Sequence, residues 1–390
     1  MNQDLALKVL GRIMKWPDDR ARDEFQWLRL MARLKYDGYH DFHAGMRFVE
    51  SLVTWLQQFE SSQERETAYR FVRRTLVYVG PSEMQRLVEQ FYPRTVRDQL
   101  VSMVAAECGI QRYQVLVDPD ARAKEKRLRR QTLFMGLSDG ARIDTIRRAY
   151  SGVLSNEQFV SSTQVDSEKW KDLLDNLRHD LQDPGARFRL VYLIDDFTGT
   201  GTSLLRFDEE KKRWKGKLIR FLDSVANASE QLHNGELFPD DWVLGVHHYV
   251  ASSAAVEAIR RRLSEATNSL EALETVWNRV PHSSFGMVFP HDLPIDATPG
   301  LHDEFIKLTQ TYYDPTIRTK HTDVGGVEHL GLGYGGCALP LVLEHNTPNN
   351  AIALLWAETE SRDRGDADAP AMPPDAPAMR PLFRRRQRHV

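Results

Sequence analysis

The spacing of apolar residues changes once along the chain. From Asp4 to about Cys108 they recur at helical intervals: in EFQWLRLMARL, Phe25, Leu28, Met31 and Leu34 fall three apart and share one face. Pro17, Pro81 and Pro93 each follow or open such a segment, Ser61 with Glu64 and Thr95 with Asp98 have capping-box spacing, and Gly109 suits a helix stop. The pattern predicts about six short helices, an all-α N-terminal domain over residues 1–110. Residues 111–128 are predicted to be a basic linker. The run Lys124 to Arg130 around its end holds five positive charges in seven residues and reads as a solvated helix face.

Beyond residue 129, short β-like runs alternate with helical ones. TLFMG, RFRLVYLI, DWVLGVHHYVAS, HSSFGMVFP, GCALPLVL and AIALLWAE read as strands; a segment through about Phe221, SAAVEAIRRRLSEA and HDEFIKLTQTYYD read as helices. Alternation of this kind predicts an α/β domain over 129–360 with a mostly parallel sheet. Strand alternation through His247 and His248 predicts one buried and one exposed ring, a poor arrangement for a metal. Residues 361–390 are rich in Pro, Ala and Asp, end in clustered arginines, and are predicted to be disordered.

Composition narrows the class. With 52 basic and 55 acidic residues, no overall field recruits nucleic acid, so any partner is recognised locally. The two cysteines, Cys108 and Cys337, are far apart and outside metal-ligand spacing, which predicts a reducing, cytoplasmic setting. No apolar run reaches membrane-span length, and the polar start does not read as a secretory signal, so no membrane is expected.

VYLIDDFTGTGTS, residues 191 to 203, carries the densest candidate chemistry. Val191 to Ile194 read as a buried strand, with Asp195 and Asp196 at its carboxyl end, where α/β sheets bind ligands. Adjacent strand residues point to opposite sides, so the two acids do not share a proton. Each is suited to a separate donor such as a diol hydroxyl or a hydrated Mg²⁺. Thr198, Gly199, Thr200, Gly201, Thr202 and Ser203 make a turn with little bulk, from which backbone N–H groups and a following helix N-terminus can hold phosphate. Acids for a diol or metal and a loop for phosphate together describe a ribose 5-phosphate. The same residues also suit a tight, capped strand-to-helix turn. No P-loop lysine is present, and the two glycines lack the third of a dinucleotide fingerprint.

The stretch resembles the signature of type I phosphoribosyltransferases: four apolar residues, two acids, three loose positions, then Thr, Gly, any residue, and Thr or Ser. A wider resemblance, to phosphoribosyltransferase-like proteins of bacterial conflict and anti-phage systems, including effectors encoded beside retron reverse transcriptases, rests on three segments. They are FMGLSDGARIDTIRRAY with LSNEQ, the acid-pair loop, and GYGGCALPLVLEHNTPNNAIALLW, spanning about Arg129 to Glu358. The resemblance implies a type I phosphoribosyltransferase fold, Mg²⁺ held through water by Asp195 and Asp196, and transfer of a ribosyl unit or attack on a nucleotide. It also implies a defence-system partner protein or a retron reverse transcriptase and msDNA complex, and leaves an oligomer open. Phe197 is bulkier than the residue common in the signature.

Two flanking segments add candidates. Ser138 and Asp139 lie in a turn after an apolar run, and Arg142 and Arg147 follow as fixed cations for a pyrophosphate; a helix cap with a solvated arginine face is the structural alternative. SNEQ, Ser155 to Gln158, reads as an N-cap or a polar lip over a cleft. In EHNTPNN, Glu344 and His345 offer acid-base groups, and Asn346 and Asn350 offer amides for an acceptor, where Asn and Pro also suit a plain turn. GLGYGG, Gly331 to Gly336, matches G-x-G-x-x-G without the strand and helix that fingerprint needs, and reads as a connector. The rival to a transferase is a non-catalytic nucleotide sensor or an assembly subunit of a defence complex.

Overall fold

The computed structural model describes residues 3–40, 42, 47–232, 237–269, 281–289, 301–359 and 378–385. It divides into two compact units: residues 84–291, and residues 1–83 with 292–390. Along the described chain up to Cys108 six α-helices form, α1 (Gln3–Met14), α2 (Asp18–Leu34), α3 (Phe48–Gln57), α4 (Ser62–Arg74), α5 (Pro81–Phe91) and α6 (Arg97–Cys108), with one short strand, β1 (Val77–Val79). Ser61 and Glu64 form the expected capping box, and Gly109 caps α6 in the left-handed region at φ 64°. Thr95 and Asp98 do not cap anything: Tyr92–Val96 is a π-helical turn running directly into α6.

The unit of residues 84–291 is built on a five-stranded sheet. Its strands are β2 (Thr132–Gly136), β3 (Phe159–Val160), β4 (Leu190–Thr198), β7 (Val243–Ser252) and β8 (His282–Phe289), in the order β3-β2-β4-β7-β8, with every neighbouring pair parallel. In rank along the chain this order is 2-1-3-4-5, the doubly wound pattern whose direction of winding switches between β2 and β4. One face packs against α9 (Ser167–Leu181), α10 (Lys217–Gln231) and α11 (Ser253–Ser269): Leu133, Val191, Leu193 and Val246 meet Trp170, Leu177, Phe221 and Leu263 in one core. On the other face Phe91 of α5 lies against Phe134, Tyr192 and His247, with centroids 6.2, 5.2 and 4.2 Å away. Gly245 is required there, because a Cβ would fall 2.4 Å from the Tyr192 ring.

These contacts redraw the division expected from sequence. Residues 84–108 cover the sheet instead of closing an independent helical domain, because Phe91 buries its ring on the strands. Residues 111–128 are no linker: helix α7 (Pro119–Arg130) buries Ala121 and Leu128. Of its arginines, Arg130 is ion-paired with Asp180 at 2.7 Å and Arg127 with Asp183. His247 and His248 are both buried, because β7 is interior and covered on its two faces.

The other unit contains α1 to α4, helix Leu301–Thr311, and a parallel pair formed by β1 and β9 (Leu341–Leu343). The run GCALPLVL thus yields a strand outside the central sheet, and Ala353–Trp356 in AIALLWAE is a helical turn. Phe71 and Phe305 stack at 3.9 Å. Residues 378–385, expected to be disordered, are packed into this core, where Met379, Leu382 and Phe383 are fully buried. The Phe383 N–H donates to the Leu355 carbonyl at 2.8 Å, and its ring lies 5.2 to 6.0 Å from Tyr39, Phe48, Tyr78 and Tyr36. No helix among the described residues is long and apolar enough to cross a membrane.

Phe383→Ala removes a fully buried ring and is expected to destabilise the chain by about 3 kcal/mol or more in urea unfolding followed by circular dichroism. A loss within experimental error would mean that the segment does not contribute to this core.

Candidate functional site

The switch point between β2 and β4 is where an open α/β sheet leaves a crevice beyond its strand ends. Two loops meet there. β4 is apolar and buried from Leu190 to Ile194 and continues through the acid pair to Thr198, so Asp195 and Asp196 are strand residues facing opposite sides. β2 ends at Gly136 and is followed by the turn holding Ser138, Asp139 and Gly140.

Asp195 is 4% exposed and lies on the face of α10. The Ser138 hydroxyl donates to its Oδ1, which also accepts from the Asp196 N–H at 3.2 Å, and Lys217 Nζ donates to its Oδ2 at 2.5 Å. Burial raises the Asp195 pKa to about 6; Lys217 pulls it down and Asp196 adds to the rise. His248, paired in register with Asp195, is held down at about 3 by burial and by Lys217, so its ring is neutral.

Asp196 is half-buried on the opposite face. Its Oδ1 accepts from the Phe197 N–H at 2.9 Å, and its carboxyl packs so closely on Gly140 that a Cβ there would lie 2.4 Å from Oδ2. Tyr249, on the next strand, is buried and donates to the Ala141 carbonyl at 3.1 Å, tying β7 to the same turn.

The loop after β4 is held from behind. Ser252, at the end of β7, donates to the Gly199 carbonyl at 2.6 Å, and Arg262 of α11 donates to the carbonyls of Thr200 at 2.9 Å and Leu205 at 3.3 Å. A trans peptide points the carbonyl of one residue opposite to the N–H of the next, and no peptide among the described residues is cis. The Thr200 N–H therefore points away from Ser252. The hydroxyls of Thr200 and Thr202 lie 2.9 Å apart, and the Gly201 N–H donates to Thr198 Oγ1 at 3.1 Å. Gly201 has φ 70° and would place a Cβ 2.7 Å from Ile259, so the turn needs glycine twice over.

A family model described as PRTase-CE matches residues 52–385. The chain belongs to the PRTase-CE family. It is a phosphoribosyltransferase-like protein on a mixed α/β fold with a mostly parallel sheet. No curated protein and no solved structure matches it.

In this PRTase-CE chain, Ser138, Asp139, Asp195, Asp196 and Thr198 to Ser203 come together at the switch point. Arg142 is half-buried in the left-handed region, φ 52°, beside them; Arg147 is exposed on helix α8 (Ile143–Ala149), whose Arg148 pairs with Asp144. Ser155 caps a short 3₁₀ turn, and the Gln158 amide donates to the carbonyls of Arg129 and Thr132 at 2.7 Å each, a structural use and not a cleft lip. The helix expected straight after the phosphate loop is displaced by a hairpin of β5 (Arg206–Asp208) and β6 (Arg213–Lys215). Helix α10 then begins at Lys217, and its first two N–H groups donate to the Ser203 and Leu204 carbonyls at 3.0 and 3.1 Å.

Glu344, His345, Asn346 and Asn350 belong to the other unit. Glu344 is buried after β9, its Oε2 2.9 Å from His40 Nε2 and its backbone N–H donating to the Val79 carbonyl at 2.9 Å. His345 Nδ1 lies 3.8 Å from Glu344 Oε1. Asn346 and Leu343 exchange backbone bonds in a tight turn, and the Asn350 amide donates to the Tyr334 carbonyl at 3.0 Å. The glycine run 331–336 is a packed connector: Gly333, φ 80°, lies where a Cβ would meet the Asn350 and Ala351 carbonyls at 2.5 Å.

Three residues of the site were not singled out in the sequence: Lys217, Ser252 and Arg262. Arg262 alone left a signal, since it lies three residues after Ile259 and four before Ala266 and so shares their buried face.

A divalent ion held by both acids does not fit the chemistry at Asp195. Both its oxygens are taken, one of them by an ammonium, and among the described residues no group of three or more His, Cys, Asp or Glu could hold a metal.

The pH dependence of stability follows from Asp195. Its folded pKa lies above the unfolded value near 3.8, so the folded chain binds this proton more tightly. The associated stability is full below about pH 4 and is lost as pH rises through about 6. Relative to Asp195→Asn, the unfolding free energy of the parent chain is expected to fall by on the order of 3 kcal/mol between pH 4 and 7 in urea titrations. A pH-independent difference would contradict the burial of an ionising group.

Proposed function

We propose that the chain binds a phosphorylated ribose at the switch point of its sheet, with the 5-phosphate against Thr198 to Ser203 and the ribose hydroxyls on Asp196. The observation that carries this reading is the anchoring of the loop by its carbonyls. With Gly199 and Thr200 bonded backward to Ser252 and Arg262, the Thr200 N–H and the two threonine hydroxyls make an edge rich in donors and poor in bulk, which suits a phosphate. Asp196 lies two residues before this loop, about the reach of a ribose ring from its 5-phosphate.

Membership of a phosphoribosyltransferase-like family supports ribosyl transfer as the reaction. Breaking the bond at the anomeric carbon leaves positive charge on the ribose and negative charge on the leaving group. Asp196 is proposed to serve the ribose side. Asp139 and Arg142, in the turn after β2 that Ser138 ties to Asp195, are proposed for the side of a pyrophosphate leaving group, with Mg²⁺ arriving on the pyrophosphate and not on Asp195. The resemblance to conflict-system proteins supports a role in anti-phage defence, with a reverse transcriptase and msDNA complex or another defence protein as partner.

Calorimetry with ribose 5-phosphate and with phosphoribosyl pyrophosphate tests the site. Gly201→Val should abolish binding, and Arg262→Ala, which frees two loop carbonyls, should weaken it by about tenfold. Asp196→Asn should cost about tenfold on the ribose side while leaving inorganic phosphate binding unchanged. Equal affinities in all three variants would remove the site from this loop. Binding without pyrophosphate release across a panel of acceptors would favour the sensor over the transferase.

A further inference from the structure

The ion pair between Asp195 and Lys217 is more than a satisfied buried charge, because of where Lys217 is attached. It is the first residue of α10, and its own N–H donates to the Ser203 carbonyl at the end of the phosphate loop. Gly216 before it has φ 136°, with the Leu204 carbonyl oxygen 2.2 Å from where a Cβ would be, so no other residue allows this approach. One short segment therefore sets both the phosphate loop and the position of the ammonium.

The surroundings of Asp195 leave that ammonium in a particular chemical role. The carboxylate is 5% exposed at its side chain and Lys217 20%, and a carboxylate this deep requires a counter-charge. A divalent ion in its place needs about six oxygen ligands and normally keeps several waters. Here Oδ1 of Asp195 accepts from the Ser138 hydroxyl and the Asp196 N–H, and the next side chain in register is the buried His248, whose Nδ1 has no hydrogen-bond partner.

We propose that Lys217 is the resident cation of the acid pair, fixed on Asp195 where a metal-dependent ribose site would hold its ion, so that the chain binds phosphorylated ribose without a metal on Asp195. The inference rests on the phosphorylated-ribose reading above for its ligand, but not for the exclusion of metal. Lys217 thereby supplies the counter-charge of Asp195 on the α10 side of the strand, opposite Asp196, at no dependence on metal concentration, and is coupled covalently to the loop that takes the phosphate.

Two titrations of the full chain test it separately. In the first, Mn²⁺ binding is followed by electron paramagnetic resonance. The parent chain should show no Mn²⁺ site tighter than about 1 mM, Lys217→Met should gain one, and Asp195→Asn/Lys217→Met should lose it again. Lys217→Arg, which keeps the charge, should behave as the parent. In the second, ribose 5-phosphate affinity of the parent should agree within about twofold in EDTA and in Mg²⁺, while Lys217→Met should weaken by about tenfold in EDTA and recover with Mg²⁺. Mn²⁺ bound by the parent and lost in the double variant overturns the proposal, as does a folded Lys217→Met that gains no site. Should Lys217→Met fail to fold, the parent and the charge-neutral double variant still decide it by the same Mn²⁺ comparison. Absence of ribose 5-phosphate binding in every buffer sinks the ligand reading and leaves the Mn²⁺ result to judge Lys217.

Discussion

A carboxylate buried at the end of an interior strand is the constraint around which the sheet end is organised. Asp195 follows five buried residues of β4 and is itself 4% exposed, so its charge must be met locally or surrendered. Three segments converge to meet it: the turn after β2 through Ser138, the strand's own backbone through the Asp196 N–H, and the start of α10 through Lys217. Each also shapes the crevice. The Ser138 turn carries Gly140 under Asp196, and α10 holds the Ser203 and Leu204 carbonyls. Removing the charge at residue 195 would leave a hydroxyl, an amide and an ammonium gathered around a group that no longer holds them.

The acid pair consequently divides its labour across the sheet. Strand geometry sends Asp195 to the side of α10 and Asp196 to the side of Tyr249. On the first side the carboxylate accepts from three donors, one of them an ammonium; on the second it packs on a glycine and keeps partial access to solvent. Two residues identical in sequence thus differ in what they can offer a ligand, and the difference arises entirely from which helix covers which face.

Much of this was legible in the sequence, and the parts that were not share a cause. The period of two in VLGVHHYVAS, the apolar run before Asp195 and the bulk-free loop predicted strands, sheet class and ligand crevice, because those features depend on local chain geometry. What escaped depends on partners distant in sequence. Phe91 fell inside the expected helical domain of residues 1–110, whereas its ring lies on Tyr192 and His247 of the sheet. One of His247 and His248 looked exposed by alternation, which presumes that one face of a strand is wet, whereas an interior parallel strand has none. Leu382 and Phe383 were averaged away in a tail whose composition is otherwise polar, although two apolar residues suffice when five aromatic rings surround one of them.

The hairpin between the phosphate loop and α10 shows most directly how insertion can alter chemistry without altering fold. A strand leading straight into a helix would point the helix's first N–H groups at the ligand, the common way such loops hold phosphate. Ten residues from Arg206 to Lys215 interrupt that path, and the helix returns with its first N–H groups bonded to loop carbonyls. The dipole of α10 is then spent on the loop itself, stiffening it from one side while Ser252 and Arg262 stiffen it from the other. What the loop loses as a direct helix terminus it regains as a rigid turn, and the same detour is what brings Lys217 onto Asp195. The insertion and the buried ion pair are therefore two consequences of one change in connectivity.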